Sequence, residues 1–263
     1  MNKLLVIIPM CGEGKRFAQT GEQTLKPFIK VDEEYMFVKA MNSLKFMFSD
    51  FDLRFVLVFR EEAIAKYHVL DIVGNIKDTN IRICSVFNKT AGPAETVLHG
   101  LLDTIKDDMD IACDYENIPT IVMDCDFEVR CDAFSDLVYK NAIERQASCI
   151  LMTRKSDNPR YSYVKADAYG KVYDIAEKKV ISENAIIGVY YFSSVYTLIR
   201  YINILADETN YFSKNGEPYI SDAIKCMLNA KQNVLMTELN GKHDMYHSFG
   251  TPEELKEYES DNH

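Results

Sequence analysis

Two short segments carry residue types whose spacing suits chemistry. The first is Met10-Cys11-Gly12-Glu13-Gly14-Lys15-Arg16-Phe17, with Lys26-Pro27 ten residues beyond Arg16. Closely spaced glycines after an apolar run let backbone N–H groups approach phosphate oxygens, and Arg16 and Lys26 can neutralise them. The loop is not a Walker P-loop, because no Gly-Lys-Ser/Thr closes it. Nor is it a dinucleotide fingerprint, because the third glycine is missing and Arg16-Phe17 intervenes. The second segment is Asp124-Cys125-Asp126. Two carboxylates there make a hard-oxygen site suited to Mg²⁺ carrying a nucleotide's phosphates. The competing structural role is capping of the next helix, whose apolar pattern starts near Phe134. Asp132 stands closer and could serve as that cap.

Both segments need elements to position them. Leu4 to Pro9 is a continuous apolar, β-branched run, the pattern of a strand buried on both faces. Arg54–Phe59, Ile81–Phe87 and Pro119–Met123 read as further strands. Helical spacing falls over Phe37–Phe48, Glu61–Val73 and Pro93–Ile105, the last with proline in its first turn. Strand and helix in alternation predict an α/β fold with a doubly wound, mostly parallel sheet and right-handed crossovers. Such a sheet binds ligands at the carboxyl ends of its strands, and both chemical segments lie at such ends.

The second half changes character. Ala147–Thr153, Tyr161–Ala166, Lys171–Ala176 and Ala185–Phe192 read as strands, with a hairpin turn at Asp167-Ala168-Tyr169-Gly170. Helices are expected around Val195–Ala206 and Ser221–Ala230, then a strand at Val234–Leu239. A last helix starts at Pro252, where Thr251 and Glu254 have capping-box spacing. The expectation is one composite domain over residues 1–263, divided into halves at 1–146 and 147–263.

Bulk composition narrows the function classes. With 30 Lys plus Arg against 40 Asp plus Glu, the formal net charge of the 263-residue chain is −10. A protein coating nucleic acid or anionic membrane needs a positive footprint, so neither partner is expected. Seven cysteines without a Cys-x-x-Cys pair point to a reducing compartment, hence a cytoplasmic protein, with no disulfide framework or zinc site. His243 and His247 are spaced i, i+4 but lack the glutamate of a zincin motif. The apolar run Leu4–Cys11 is too short to span a bilayer and has no cleavage site after it.

Gly12-x-Gly14-x-Arg16 with Lys26-Pro27 resembles the signature loop of the sugar-phosphate nucleotidyltransferase family. Gly92-Pro93-Ala94 resembles that family's Gly-x-Ala segment, and Asp126 its metal aspartate. Glu177-Lys178 resembles its Glu-Lys pair, Gly188-Val189-Tyr190 its Gly-x-Tyr strand, and Gly250-Thr251-Pro252-Glu253-Glu254-Leu255 its closing motif. The matches stand in family order from Ile7 to Leu255.

The resemblance implies a three-layer Rossmann-like mixed sheet with a smaller β-rich acceptor-binding part. It implies nucleotidyl transfer from a nucleoside triphosphate to a phosphorylated small-molecule acceptor such as a sugar 1-phosphate, with Mg²⁺ as cofactor. Arg16, Lys26 and Lys178 would be catalytic. Met10, Cys11, Gly12, Gly14, Asn88, Gly92, Ala94 and Asp124 would join Arg16 and Lys26 around the nucleotide. Glu177, Lys178, Tyr163 and Gly188 would face the acceptor, and Asp126 and Asp124 the metal. Homo-oligomerisation is compatible with this scheme and not required by it. The nucleobase and the acceptor are not named by these residues.

The chain departs from the family pattern in three places. Cys125 stands where Gly usually precedes the metal aspartate, Lys179 where proline often follows Glu-Lys, and Ser248 where many members carry a second metal aspartate. Three other readings therefore stand beside the sugar reading. One is a cytidylyltransferase for a non-sugar phospho-alcohol such as phosphocholine, for which an aromatic cage would be a signature. Another is a glycosyltransferase using Asp124-Cys125-Asp126 as an Asp-x-Asp motif. The last is a regulatory protein that keeps the fold without the activity.

Overall fold

Residues 3–77, 79–207 and 216–262 are described by a computed structural model. The N-terminal apolar run forms β1 (Lys3–Pro9), and its side chains divide by parity. Leu4, Val6 and Ile8 enter one buried cluster, and Leu5 and Ile7 enter another on the opposite face. That division is what a strand covered on both sides requires, since successive side chains point to opposite faces.

The strands flanking β1 follow. β4 (Asp52–Arg60) pairs with β1 in parallel, and β5 (Asn80–Val86) pairs with β4 in parallel. β6 (Thr120–Met123) returns to the other side of β1, again parallel, with Leu5 opposite Thr120 and Ile7 opposite Val122. The chain therefore builds outward from β1 in one direction and then in the other. β1 and β6 form the topological switch point, where open α/β sheets leave a crevice at their carboxyl ends.

The sheet continues into the second half of the chain. β11 (Asn184–Phe192) runs antiparallel to β6 and to β8 (Cys149–Lys155). β12 (Val234–Glu238) pairs in parallel with β8. β9 (Tyr163–Ala166) and β10 (Val172–Ala176) form the expected hairpin, and β9 joins β11 at Asn184 and Ala185. The result is one mixed, nine-stranded sheet that is parallel through its core. Two further two-stranded sheets pair β2 (Lys30–Val31) with β3 (Glu34–Tyr35), and β7 (Phe127–Arg130) with β13 (Met245–Ser248).

Helices cover both faces, as a three-layer α/β fold requires. α2 (Met36–Met47) and α7 (Asp132–Glu144) bury Phe37, Met41, Leu44, Phe134 and Val138 with Leu4, Val6 and Phe59. α5 (Pro93–Asp107), α8 (Val195–Asp207) and α9 (Ile220–Asn229) bury Val97, Leu101, Leu198, Ile202, Ala223 and Ile224 with Leu5, Ile7 and Val58. No helix among the described residues is long and apolar enough to cross a membrane.

Three local expectations change. The helix expected over Glu61–Val73 is two helices, α3 (Glu61–Lys66) and α4 (Val69–Gly74), separated by His68 at φ 50°. Asp132 is the first residue of α7 and Cys131 holds the cap position. Because β7 lies between Asp126 and that helix, Asp124 and Asp126 are not its caps either. Thr251 accepts from Glu254 N–H at 3.3 Å, as a cap would. The Glu254 carboxylate, however, turns to Ser248 and Arg160. His247 lies on strand β13 and sets Nδ1 2.8 Å from Glu128 Oε1.

Candidate functional site

A cleft of about 600 Å³ opens at the carboxyl ends of β1 and β6. The loop leaving β1 forms one wall. Met10 N–H donates to the Val58 carbonyl at 2.8 Å, which holds the loop's origin against β4. Gly14 turns the chain at φ 61° into the short helix α1 (Lys15–Gln19), which leaves Arg16 exposed beside the cleft. Burial pushes the Cys11 thiol up to about 11, so it stays protonated and contributes space and backbone to the wall.

The facing wall carries the carboxylates. Lys26 Nζ lies 2.7 Å from Asp126 Oδ2, with the two side chains 28% and 18% exposed. Burial opposes the charge on Lys26, but Asp126 and Asp124 outweigh it and hold the ammonium above the ordinary lysine range. Asp124 also opens onto the cleft. The surrounding protein and then the Asp126 charge push its carboxyl up, against the pull of Lys26. Because its surface still meets cleft water, solvent moderates that rise.

Two returning strands hold these acids in place. Asp124 N–H donates to the Gly188 carbonyl at 3.0 Å. Gly188 lies where β11 exchanges partners, pairing with β6 from Val189 onward and with β9 at Asn184 and Ala185. Its φ of 82° makes the required bulge, and a Cβ there would fall 2.4 Å from Asp124 Oδ2. Phe249 N–H donates to the Asp126 carbonyl at 2.7 Å, so the pairing of β13 with β7 brings the closing motif onto the second acid. A Cβ on Gly250 would approach Asp126 Oδ2 to 2.6 Å.

The Glu177-Lys178 pair follows β10. Glu177 Oε2 accepts from Ser221 Oγ at 2.6 Å and also from Ser162 Oγ. Lys178 adopts φ 50°, and its ammonium sits 4.0 Å from the centroid of the Tyr219 ring while donating to the Tyr219 hydroxyl. That hydroxyl in turn donates to Glu217, which lines the main cleft. The segment from Glu217 to Tyr219 thus spans both regions. It is fixed where Ala94 N–H donates to the Pro218 carbonyl at 3.1 Å.

Met10, Cys11, Gly12, Gly14, Arg16, Lys26, Gly92, Asp124 and Asp126 all line the one cleft. Glu177 lies close enough to influence Asp124 electrostatically. Three expected contacts fall elsewhere. Asn88 is exposed and outside the cleft, while the neighbouring Lys89 and Thr90 line it. Ala94 is fully buried and serves the Pro218 contact. Tyr163 belongs to the core, 0% exposed, with its hydroxyl donating to the Asn158 carbonyl at 2.8 Å. Strand alternation turns Ser162 toward Glu177 instead. Glu13, Lys89 and Tyr219 stand in or beside these regions without having been expected there. For Glu13 and Lys89 the available signal was charge beside the glycines of the two cleft loops.

The molecule is thus an α/β protein whose switch-point cleft sets cations and carboxylates face to face. Residues 5–261 match the Nucleotidyl transferase family, and the chain belongs to it and is a nucleotidyltransferase. Its fold is similar to a nucleoside-diphosphate-sugar pyrophosphorylase from Vibrio cholerae RC9, with TM-score 0.77 and 20% identity over 96% of this chain and 98% of that one. A UDP-glucose pyrophosphorylase complexed with UDP-glucose gives TM-score 0.73 and 15% identity over 100% and 98% of the two chains. An inositol-1-phosphate CTP transferase from T. maritima gives 0.70 and 16% over 98% and 94%. No curated protein sequence matches the chain.

Proposed function

We propose that this nucleotidyltransferase joins a nucleoside triphosphate to a sugar 1-phosphate, giving a nucleoside-diphosphate sugar and pyrophosphate. The observation that carries the reading is the Lys26–Asp126 contact of 2.7 Å across the switch-point cleft, with Asp124 beside it. An acceptor phosphate oxygen forms a bond to the α-phosphorus as the bond from that phosphorus to the β-bridging oxygen breaks. Pyrophosphate leaves with the electron pair. The phosphate dianion is already a competent nucleophile, so no side chain need remove a proton. Catalysis then rests on in-line positioning and on stabilising the phosphoryl oxygens.

Residues 1–146 would hold the nucleotide and 147–263 the acceptor. Arg16 and Lys26 would grip the triphosphate, Lys26 exchanging Asp126 for phosphate oxygens. Lys178, held over Tyr219, would orient the acceptor phosphate, and Glu177, fixed by Ser221 and Ser162, would accept hydrogen bonds from acceptor hydroxyls. Among the described residues no group of three or more His, Cys, Asp or Glu is gathered for a metal ion. Two aspartates facing a phosphate site nevertheless suit Mg²⁺, which commonly takes one or two carboxylates and completes its shell with substrate oxygens and water. Bound there, it would neutralise charge building on the phosphoryl oxygens. The exposed Cys113 is a free thiol, which supports a cytoplasmic location.

A non-sugar phospho-alcohol with CTP is the second acceptor reading. The fold similarity to the inositol-1-phosphate CTP transferase supports it, as does Ser248 at the position of the second aspartate. Family membership favours triphosphate chemistry over the glycosyltransferase reading. The first test is thermal unfolding with Mg²⁺ and each of CTP, UTP, dTTP, GTP and ATP. At a hundredfold excess over Kd, a ligand specific for the folded state adds about 2.7 kcal/mol. For a chain of this size that is a rise of roughly 5–10 °C. One triphosphate is expected to dominate and so to name the base. A response to nucleoside diphosphates with none to any triphosphate would contradict nucleotidyl transfer.

A further inference from the structure

An acid on one rim of the cleft holds a lysine on the other. Glu13, between the two glycines of the first loop, sets Oε1 2.8 Å from Lys89 Nζ and Oε2 3.0 Å from Lys15 Nζ. Lys89 belongs to the loop between β5 and α5, so the bridge joins segments that leave different strands. All three residues line the cleft. The lysine side chains are 76% and 65% exposed, and ion pairs so open to water contribute little to fold stability. The bridge therefore has little value as a brace. Its place and charge pattern need another reason.

That reason lies in what the lysines would otherwise do. Two ammonium groups brought to one point repel unless an anion lies between them. Glu13 is an anion at neutral pH like any exposed glutamate, and the two lysine contacts hold its carboxyl far below the usual range, at about 2. Deeper in the cleft, Asp126 plays the same part toward Lys26. The cleft thus has two places where a protein carboxylate sits on a cation, one at its mouth and one at its floor.

We propose that Glu13 is an internal stand-in for the triphosphate: it holds Lys89 and Lys15 at the mouth until the substrate displaces it and takes both lysines as ligands. The inference rests on the nucleotidyl-transfer reading and adds Lys89 to the residues that bind the phosphates. A triphosphate brings several negative charges against one carboxylate, so the exchange runs toward substrate. The weakness of an exposed pair lets it proceed without a large cost.

The test uses inorganic pyrophosphate with Mg²⁺, a probe common to every base, in calorimetric titrations of wild type, Glu13→Gln and Lys89→Gln at low ionic strength. Removing the competing anion should tighten pyrophosphate binding roughly threefold or more, and removing the ligand should weaken it by a similar factor. An unchanged Kd in Glu13→Gln would overturn the stand-in. Wild-type or tighter binding in Lys89→Gln would overturn Lys89 as a ligand. If the wild type binds neither pyrophosphate nor any triphosphate, the nucleotidyl-transfer reading falls and the stand-in with it. If the wild type binds and the variants do not move, the stand-in alone falls.

Discussion

Replacing Asp126 with asparagine is expected to lower turnover at least about a hundredfold, while the protein still unfolds in one cooperative transition. The carboxylate is 18% exposed and faces Lys26 at 2.7 Å, with Gly250 packed close behind it. Asparagine keeps the shape and one acceptor oxygen, so the contact of Phe249 with the Asp126 backbone survives. What disappears is the negative charge that balances Lys26 and that would hold a divalent ion on the phosphates. A hundredfold corresponds to about 2.7 kcal/mol of transition-state stabilisation, within reach of one preorganised charged group in a sheltered cleft. Turnover at saturating triphosphate and Mg²⁺ is the measurement. A variant retaining most of its rate would remove Asp126 from the site.

Gly188→Ala should lower stability and turnover together. At φ 82° an L-residue is strained, which costs about 1–3 kcal/mol by itself and several degrees in Tm. The new Cβ would also lie 2.4 Å from Asp124 Oδ2, closer than contact allows, so the carboxylate must shift. Displacements of about 1 Å near reacting atoms can cost a hundredfold in rate. A tenfold or greater fall is therefore expected beyond what unfolding explains. Lowered Tm with wild-type turnover would mean that Asp124 is held there for structural reasons alone.

The architecture around these residues was largely legible because its signals are local. Leu4 to Ile8 alternates between two buried clusters, and a continuous apolar run of that length has few other uses. Both chemical loops followed such runs, which sufficed to place them at strand ends. That the two strands are neighbours is a fact of topology, set by the crossover from β5 past β1 to β6.

What was missed depended on distant pairings and on side-chain direction. β7 and β13 are four residues each and far apart in sequence, so neither carries a periodic signal, yet their pairing delivers Gly250 to Asp126. Tyr163 and Ser162 lie on opposite faces of the backbone, and the composition of Tyr161-Ser162-Tyr163 does not say which of them turns toward Glu177. Asn88 and Lys89 pose the same ambiguity in a loop, where no period fixes direction. The break at His68 had no glycine or proline to announce it.

Nucleotidyl transfer itself is tested most directly by pyrophosphate release from the purified enzyme with Mg²⁺, the triphosphate that stabilises it, and a set of sugar 1-phosphates and phospho-alcohols. The predicted result is release that requires both triphosphate and one acceptor, stoichiometric with a product retaining the α-phosphate. Release of nucleoside diphosphate from a nucleotide sugar, with no pyrophosphate formed from any triphosphate and acceptor, would contradict it.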